Sequence, residues 1–200
     1  MDKVNIKNTA FLVIDVTNFC CSEDNEIPKY KVYFSKIRKM VPKLKKVIEK
    51  YPGEVVYIKT KPWKKENLSD NLNELYKNPL ISYYSKDKTG KAEEFYLLKP
   101  NKKDKVFEKN TYDAFSNPEF DKYLRSKKIQ TLIITGVFGA GCVNATISSA
   151  FSKGYRLIIL KDLIETTDVK LRQDLQKLLK TYTWPVMYGE TLISKKMKFR

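Results

Sequence analysis

A thiol set in a glycine-rich turn is the first group in this chain that invites chemistry. In TLIITGVFGAGCVNATISSA, from Thr131 to Ala150, the run Leu132, Ile133, Ile134 is bounded by Gly136 and reads as a strand buried on both faces of a parallel sheet. Val143 to Ala150 continues with small and apolar residues at helical spacing. Glycines in the turn between them open backbone conformations closed to other residues, and the turn delivers Cys142 to the start of the helix. Free backbone N–H groups and the positive helix end favour a thiolate there, so Cys142 is expected to ionise near neutral pH and attack a carbonyl. The same N–H groups could hold the resulting oxyanion. A second reading stands beside the first, a small cysteine buried for packing.

Two further groups close strands in the same way. Thr9 to Val16, TAFLVIDV, is an apolar run that ends by presenting Asp15, and ligands of open parallel sheets bind outside the carboxyl ends of strands. An Asp capping a turn with Asn18 is the alternative there. Asp104 to Glu108 is a short strand with Lys109 directly after it; taken alone among 34 lysines, Lys109 reads as a surface residue. The chain has no histidine, which excludes Ser-His-Asp and Cys-His pairs and imidazole metal sites. Any general base is then a carboxylate, a lysine, a tyrosine or a thiolate.

The elements that must position these groups alternate. Ile27 to Tyr51 carries apolar residues near helical spacing, with Pro42 kinking or splitting it, and Glu54 to Thr60 is the second strand. The segment 61–103 is the least regular, with one weak helix around Ser69 to Tyr76 and clustered aromatics suited either to pocket walls and a lid or to covering the core edge. Pro118 to Ser126 reads as a helix capped by Asn117, Arg156 to Leu160 as a fifth strand, and Asp168 to Tyr182 as a helix with Leu171, Leu175, Leu178 and Leu179 inward. Val186 to Tyr188 is a candidate edge strand. Strands alternating with helices predict an α/β fold with a parallel sheet covered on both faces.

Two hundred residues of ordinary apolar content suit one domain over 1–200, and the longest apolar runs are of strand length rather than membrane-spanning length. A cytoplasmic protein without a membrane segment is the expectation. Three cysteines, two adjacent at Cys20 and Cys21, form no disulfide framework or zinc spacing, and the adjacent pair is assigned to packing. The net charge of +16 comes from 34 lysines and 5 arginines scattered along the chain, which describes a solvated surface better than a nucleic-acid stripe. Preference for an anionic small molecule stays open.

Asp15, Lys109 and Cys142, with the stretches LVIDVTN, GKAEEFYLLKPNKKDKVFEKNTYDAF, TLIITGV followed by CVNAT, and KGYRLIILKDLIETTD, resemble the isochorismatase-like cysteine hydrolase superfamily, which includes nicotinamidases and N-carbamoyl amidohydrolases. In order, these stretches cover nearly the whole chain from Thr9 to about Ser194. The resemblance implies a three-layer α/β/α sandwich with a mainly parallel, Rossmann-like sheet of about six strands. It also implies a triad of nucleophile Cys142, proton-shuttling Asp15 and charge-holding Lys109, acting on an amide-type carbonyl through a thioester. An oxyanion hole of backbone N–H groups at Cys142 and Phe138, with a cis peptide before Phe138, follows from the same source, as does a homo-oligomer of two or more copies.

Departures from the pattern bear on the substrate. The region after the second strand, KTKPWKKENL, lacks the histidines through which nicotinamidases bind a metal, so no metal or other cofactor is expected. The loop Phe138 to Gly141 and Thr17 are also atypical, which keeps open a catalytically weakened protein that binds a ligand or another protein. Phe19, Trp63, Tyr112 and Phe115 are the expected pocket walls for a small-molecule substrate, with packing against the sheet as the alternative.

Overall fold

A computed structural model describes residues 4–78 and 83–199 of the chain. In chain order the main elements are β1 (Thr9–Ile14), α1 (Asn18–Cys21), α2 (Ser35–Lys50), β2 (Glu54–Thr60), α3 (Asp70–Leu75), β3 (Lys105–Lys109), α4 (Pro118–Ser126), β4 (Thr131–Val137), α5 (Asn144–Ser152), β5 (Arg156–Glu165), α6 (Lys170–Leu178) and β6 (Glu190–Leu192). The six strands form one all-parallel sheet in the order β3-β2-β1-β4-β5-β6.

The uninterrupted apolar runs of β1 and β4 follow from burial on both sides. Alternate residues feed two separate cores. Phe11, Val13, Tyr57 and Ile133 meet Ile37, Val41 and Leu44 of α2 on one face. Leu12, Ile14, Ile58 and Ile134 meet Phe120 and Leu124 of α4 and Ile147 and Ala150 of α5 on the other. Period-2 alternation with both faces covered yields the three layers. No helix among the described residues is long and apolar enough to cross a membrane.

Several boundaries differ from the sequence reading. Pro42 sits inside α2 without splitting it, but the helix starts only at Ser35; residues 27–34 instead carry a short 3-10 turn at Pro28–Tyr30 and a bridge between Ile27 and Val32. Lys109 is the last residue of β3 rather than the first after it. β5 runs on to Glu165 past a register shift against β4. The last strand is β6, whereas 186–188 belongs to a wide helical stretch, Leu179–Tyr188, that holds Pro185.

The largest correction concerns α6. Leu171, Leu175 and Leu178 face outward, with 79%, 47% and 55% exposure, and only Leu179 of the four leucines is buried. The helix is held by polar contacts on its other face. Gln173 Nε2 donates to Thr167 O at 2.8 Å, Gln176 Nε2 donates to Glu165 Oε1 at 2.6 Å, and Gln176 is itself buried. Both faces have helical period, so apolar spacing alone could not say which one turns inward.

Candidate active site

The carboxyl ends of the strands bring the three chemical groups together. Asp15 follows β1 directly, in the left-handed backbone region at φ 53°, and its N–H donates to Ile58 O at 2.9 Å. An Asp tolerates that conformation better than most residues, and it aims the carboxylate back over the sheet edge. Gly136 stands opposite Ile14 in the β1–β4 pairing at φ 119°; a Cβ there would lie 2.1 Å from Ile14 O. Glycine is therefore what allows β1 and β4 to close tightly beside Asp15.

Lys109 Nζ lies 2.8 Å from Asp15 Oδ2 and donates to Thr111 O at 3.0 Å. Both side chains are buried, which singles Lys109 out from a chain whose other lysines are largely exposed or half-buried. A buried charge of this kind is held by its partner, because removal of one member leaves the other uncompensated. The Lys109 ammonium is held above its ordinary range: burial opposes the charge, but Asp15 and the Cys142 sulfur outweigh it.

Cys142 sits in a wide turn, Gly139–Val143, that leads into α5, with Gly141 at φ −115° and ψ −110° outside helical geometry. The turn is anchored at both sides. Gln176 Oε1 packs where a Cβ of Gly139 would be, Trp184 Nε1 donates to Asn144 Oδ1 at 2.9 Å, and Thr146 Oγ1 accepts from Ala114 N at 3.1 Å. The last contact ties α5, which follows the thiol-bearing turn, to the segment following Lys109. The peptide between Val137 and Phe138 is cis.

The thiol corrects the expectation of a ready thiolate. Burial first, and then the Asp15 carboxylate through charge and a hydrogen bond, push the Cys142 thiol up to about 12 against the weaker opposing pull of Lys109. The free site is thus a neutral thiol beside a carboxylate–ammonium pair. Cys20 and Cys21 are also buried free thiols pushed up first by burial and then by Asp15.

A cavity of about 430 Å³ opens above Cys142 and Asp15. Phe19, Trp63 and Tyr112 line it, as do Phe138, Tyr76 and Tyr83, and it receives residues from or just beyond the carboxyl ends of β1, β2, β3, β4 and β5. Trp63 stacks with Tyr112 at a centroid distance of 6.1 Å, and Phe19 stacks with Tyr83 at 5.5 Å. Phe115 does not belong to this wall. It lies in the core under α4 and α5, against Phe120 at 4.8 Å and Tyr155 at 5.8 Å, because the turn after Lys109 points it across the sheet.

Thr60, Leu75, Thr166 and Arg172 also line the cavity and escaped the sequence reading, and Leu175, expected to pack inward, borders it as well. Cys20, assigned to packing, also reaches the cavity. Thr60 and Thr166 carried a usable signal, since each follows an apolar strand run at its carboxyl end; Arg172 carried none. In the loop after β2, residues 61–67, lysines surround Trp63 and the exposed Glu66. That donor set does not suit a divalent cation, because ammonium groups repel it and a single acid cannot chelate it.

Comparison with known proteins agrees with this architecture. Short stretches match curated proteins: 59 residues are 44% identical to an N-carbamoylsarcosine amidase of Arthrobacter sp., covering 30% of this chain and 22% of that protein. A stretch of 65 residues is 38% identical to a ureidoacrylate amidohydrolase of Pseudomonas savastanoi pv. phaseolicola, covering 32% of this chain and 26% of that protein. The matched stretches thus span about a quarter of the length of these relatives. A cysteine hydrolase from Pseudomonas syringae pv. phaseolicola has the same fold, with a TM-score of 0.73 at 21% identity over 98% of this chain and 93% of that one. An N-carbamoylsarcosine amidase from Thermoplasma acidophilum gives a TM-score of 0.66 at 22% identity, covering 94% and 96%. The isochorismatase domain model matches residues 9–191, from the first residue of β1 into β6, and on that match the chain belongs to the isochorismatase family.

Proposed function

We propose that the protein is a metal-independent cysteine hydrolase of small amide-type C–N bonds. The observation that carries this reading is the buried cluster of Asp15, Lys109 and Cys142 at one corner of an aromatic cavity. The relatives named amidase and amidohydrolase support the choice of bond.

In the free site the thiol keeps its proton. When an amide carbonyl enters the cavity and displaces water, Asp15 takes that proton as Cys142 Sγ attacks, and Lys109 keeps the growing negative charge beside a fixed positive one. Backbone N–H groups at Phe138 and Cys142 are the candidate donors to the tetrahedral oxyanion, which preorganised donors in a dry site stabilise well. Asp15 then passes the proton to the leaving nitrogen, and the C–N bond breaks to leave a thioester. Water, deprotonated by Asp15, attacks the thioester and releases the acid and the thiol. Phe19, Trp63 and Tyr112 supply flat apolar walls for the substrate body.

Self-association belongs to the same proposal. Leu171, Leu178, Tyr182 and Val186 continue one exposed apolar stripe along α6 and the stretch after it, which a second copy would cover.

The test is ammonia release from a panel of primary amides and ureido compounds, with and without EDTA. Turnover that survives chelation and vanishes in Cys142→Ser, together with an acyl adduct on Cys142 in acid-quenched mass spectra, is the expected result. Turnover that persists in Cys142→Ser would remove the nucleophile and the mechanism with it.

A further inference from the structure

We propose that a second cavity, between the later half of α2 and the segment 98–102 that leads into β3, is a binding site for a small phosphomonoester held by Lys45, Lys99, Lys102 and the Tyr57 hydroxyl. The site is separate from the chemistry at Cys142 and does not depend on it.

Space is the first observation. This cavity has a volume of about 460 Å³, close to that of the cavity above Cys142, and the two share no lining residue. Lys45 and Ile48 of α2 form one wall, Lys99 and Lys102 stand on the facing segment, and Tyr57 of β2 is the buried residue beneath them. The facing segment is braced before any ligand arrives. Asn101 N donates to Asp104 Oδ2 at 2.7 Å, and Asp104 N donates to Asn101 O at 3.0 Å. A rim fixed in this way loses little freedom on binding.

Tyr57 supplies an independent observation. The residue is 2% exposed, and its hydroxyl makes no hydrogen bond among the described residues. Unlike the sealed hydroxyls of Thr166 and Thr167, the Tyr57 hydroxyl keeps accessible surface, and Tyr57 lines the cavity. A buried tyrosine hydroxyl ordinarily finds a partner, so this one is a free donor at the cavity floor. Burial first, and Asp104 second, push it up to about 12, so at neutral pH it keeps the proton it would donate.

Charge then selects the ligand. Lys45, Lys99 and Lys102 form no ion pair with a described acid, and Glu49 is the one acid in the lining. Three cations against one acid suit a doubly charged anion. Lysine meets phosphate as a point charge, whereas a planar carboxylate is better matched by arginine, which is absent from the described lining. Ile48, Leu98 and Pro100 add an apolar wall for a small body carried on the phosphate. A buried donor and an apolar wall are what separate these three lysines from a merely solvated surface.

Calorimetric titration of the full chain with phenyl phosphate at fixed ionic strength tests this, beside inorganic phosphate and benzyl alcohol as probes of charge and ring alone. Phenyl phosphate is expected to bind at one site about tenfold tighter than inorganic phosphate, the gain from covering part of the ring, and benzyl alcohol should give no measurable binding. Tyr57→Phe keeps the ring and should weaken phenyl phosphate by about tenfold, the loss of a hydrogen bond to a charged group, without lowering the thermal midpoint. Lys99→Gln combined with Lys102→Gln should weaken it by about tenfold as well. Lys195→Gln combined with Lys196→Gln removes the same charge outside the cavity and should change affinity by less than about twofold. Absence of binding, equal affinity for phenyl phosphate and inorganic phosphate, a Tyr57→Phe protein that binds like the wild type, or equal losses in the two double variants would each overturn the proposal. If Tyr57→Phe fails to fold, the two double variants still decide between the cavity and the general positive field. Saturating phenyl phosphate should leave the rate of Cys142 alkylation by iodoacetamide unchanged; protection of Cys142 would put the ligand in the catalytic cavity and overturn the second site.

Discussion

At the scale of single residues, the ionisation of the Cys142 thiol is governed by a competition that its immediate neighbours decide. Lys109 draws the thiol toward ionisation, but burial and the Asp15 carboxylate push harder the other way. Alkylation of Cys142 in the free wild type should therefore climb about tenfold per pH unit from pH 7 to pH 10 with no plateau, because the thiol ionises only near 12, whereas an ordinary thiol levels off above about 8.5. Asp15→Asn separates the electrostatic effect of that carboxylate on the thiol from its proposed part in proton transfer. With the competing anion gone, the Lys109 ammonium is left with the thiol as its counter-ion, so the thiol shifts down and Cys142 alkylates faster than wild type at pH 8. Hydrolysis in the same variant should fall by about 10²–10⁴-fold, the usual contribution of a general acid–base. Iodoacetamide kinetics with peptide mapping, set beside ammonia release, read both effects; slower alkylation in Asp15→Asn would refute this account of the site.

At the scale of elements, two contacts decide whether the site assembles. The first is Gly136, where β4 meets β1. A Cβ would strike Ile14 backbone at 2.1 Å, and φ of 119° strains any side chain. Gly136→Ala is expected to cost more than about 2 kcal/mol of unfolding free energy, measured by urea denaturation, because backbone atoms cannot yield as a flexible side chain can. The second is the orientation of α6. Leu179→Ala should cost about 2–5 kcal/mol through a cavity beside Trp184, while Leu171→Ser should stay within about 0.5 kcal/mol. The reverse order would mean that the leucine stripe, rather than the glutamine face, turns inward.

For the whole molecule, the excess charge and the apolar stripe on α6 act together. A surface with a net charge of +16 repels a second copy, whereas the exposed Leu171, Leu178, Tyr182 and Val186 form the face proposed to receive one. Self-association through the stripe should strengthen with ionic strength as screening shortens the repulsion. Sedimentation analysis between low and moderate salt should show a larger assembly at the higher salt, and Leu178→Glu should abolish it at both. An assembly insensitive to Leu178→Glu would place the contact elsewhere.

Much of this was legible in the chain itself, for a physical reason. Strands buried on both faces need continuous apolar runs, and parallel strands need helical crossovers, so TAFLVI, EVVYI and TLIITGV with the helices between them imply the sheet and its carboxyl edge without coordinates. Helix boundaries with chemical punctuation were equally plain, as at Pro118–Ser126 with Asn117 accepting from Glu119 N. The same punctuation put Asp15, Lys109 and Cys142 at strand ends, and the gathering of those ends on one edge follows from parallel topology. Other features depended on distance through space. Phe115 and Tyr112 are three residues apart, yet one enters the core and the other the cavity, because a turn rotates them to opposite sides. The leucines and glutamines of α6 share a helical period, so only packing chose between them. The protonation of Cys142 is a balance of burial against two opposite charges, and Arg172 meets the cavity only because α6 folds back over the carboxyl edge of the sheet. Periodicity and punctuation are local and are written along the chain, whereas which side chains share a cavity, and how their charges balance there, exists only once the chain has closed on itself.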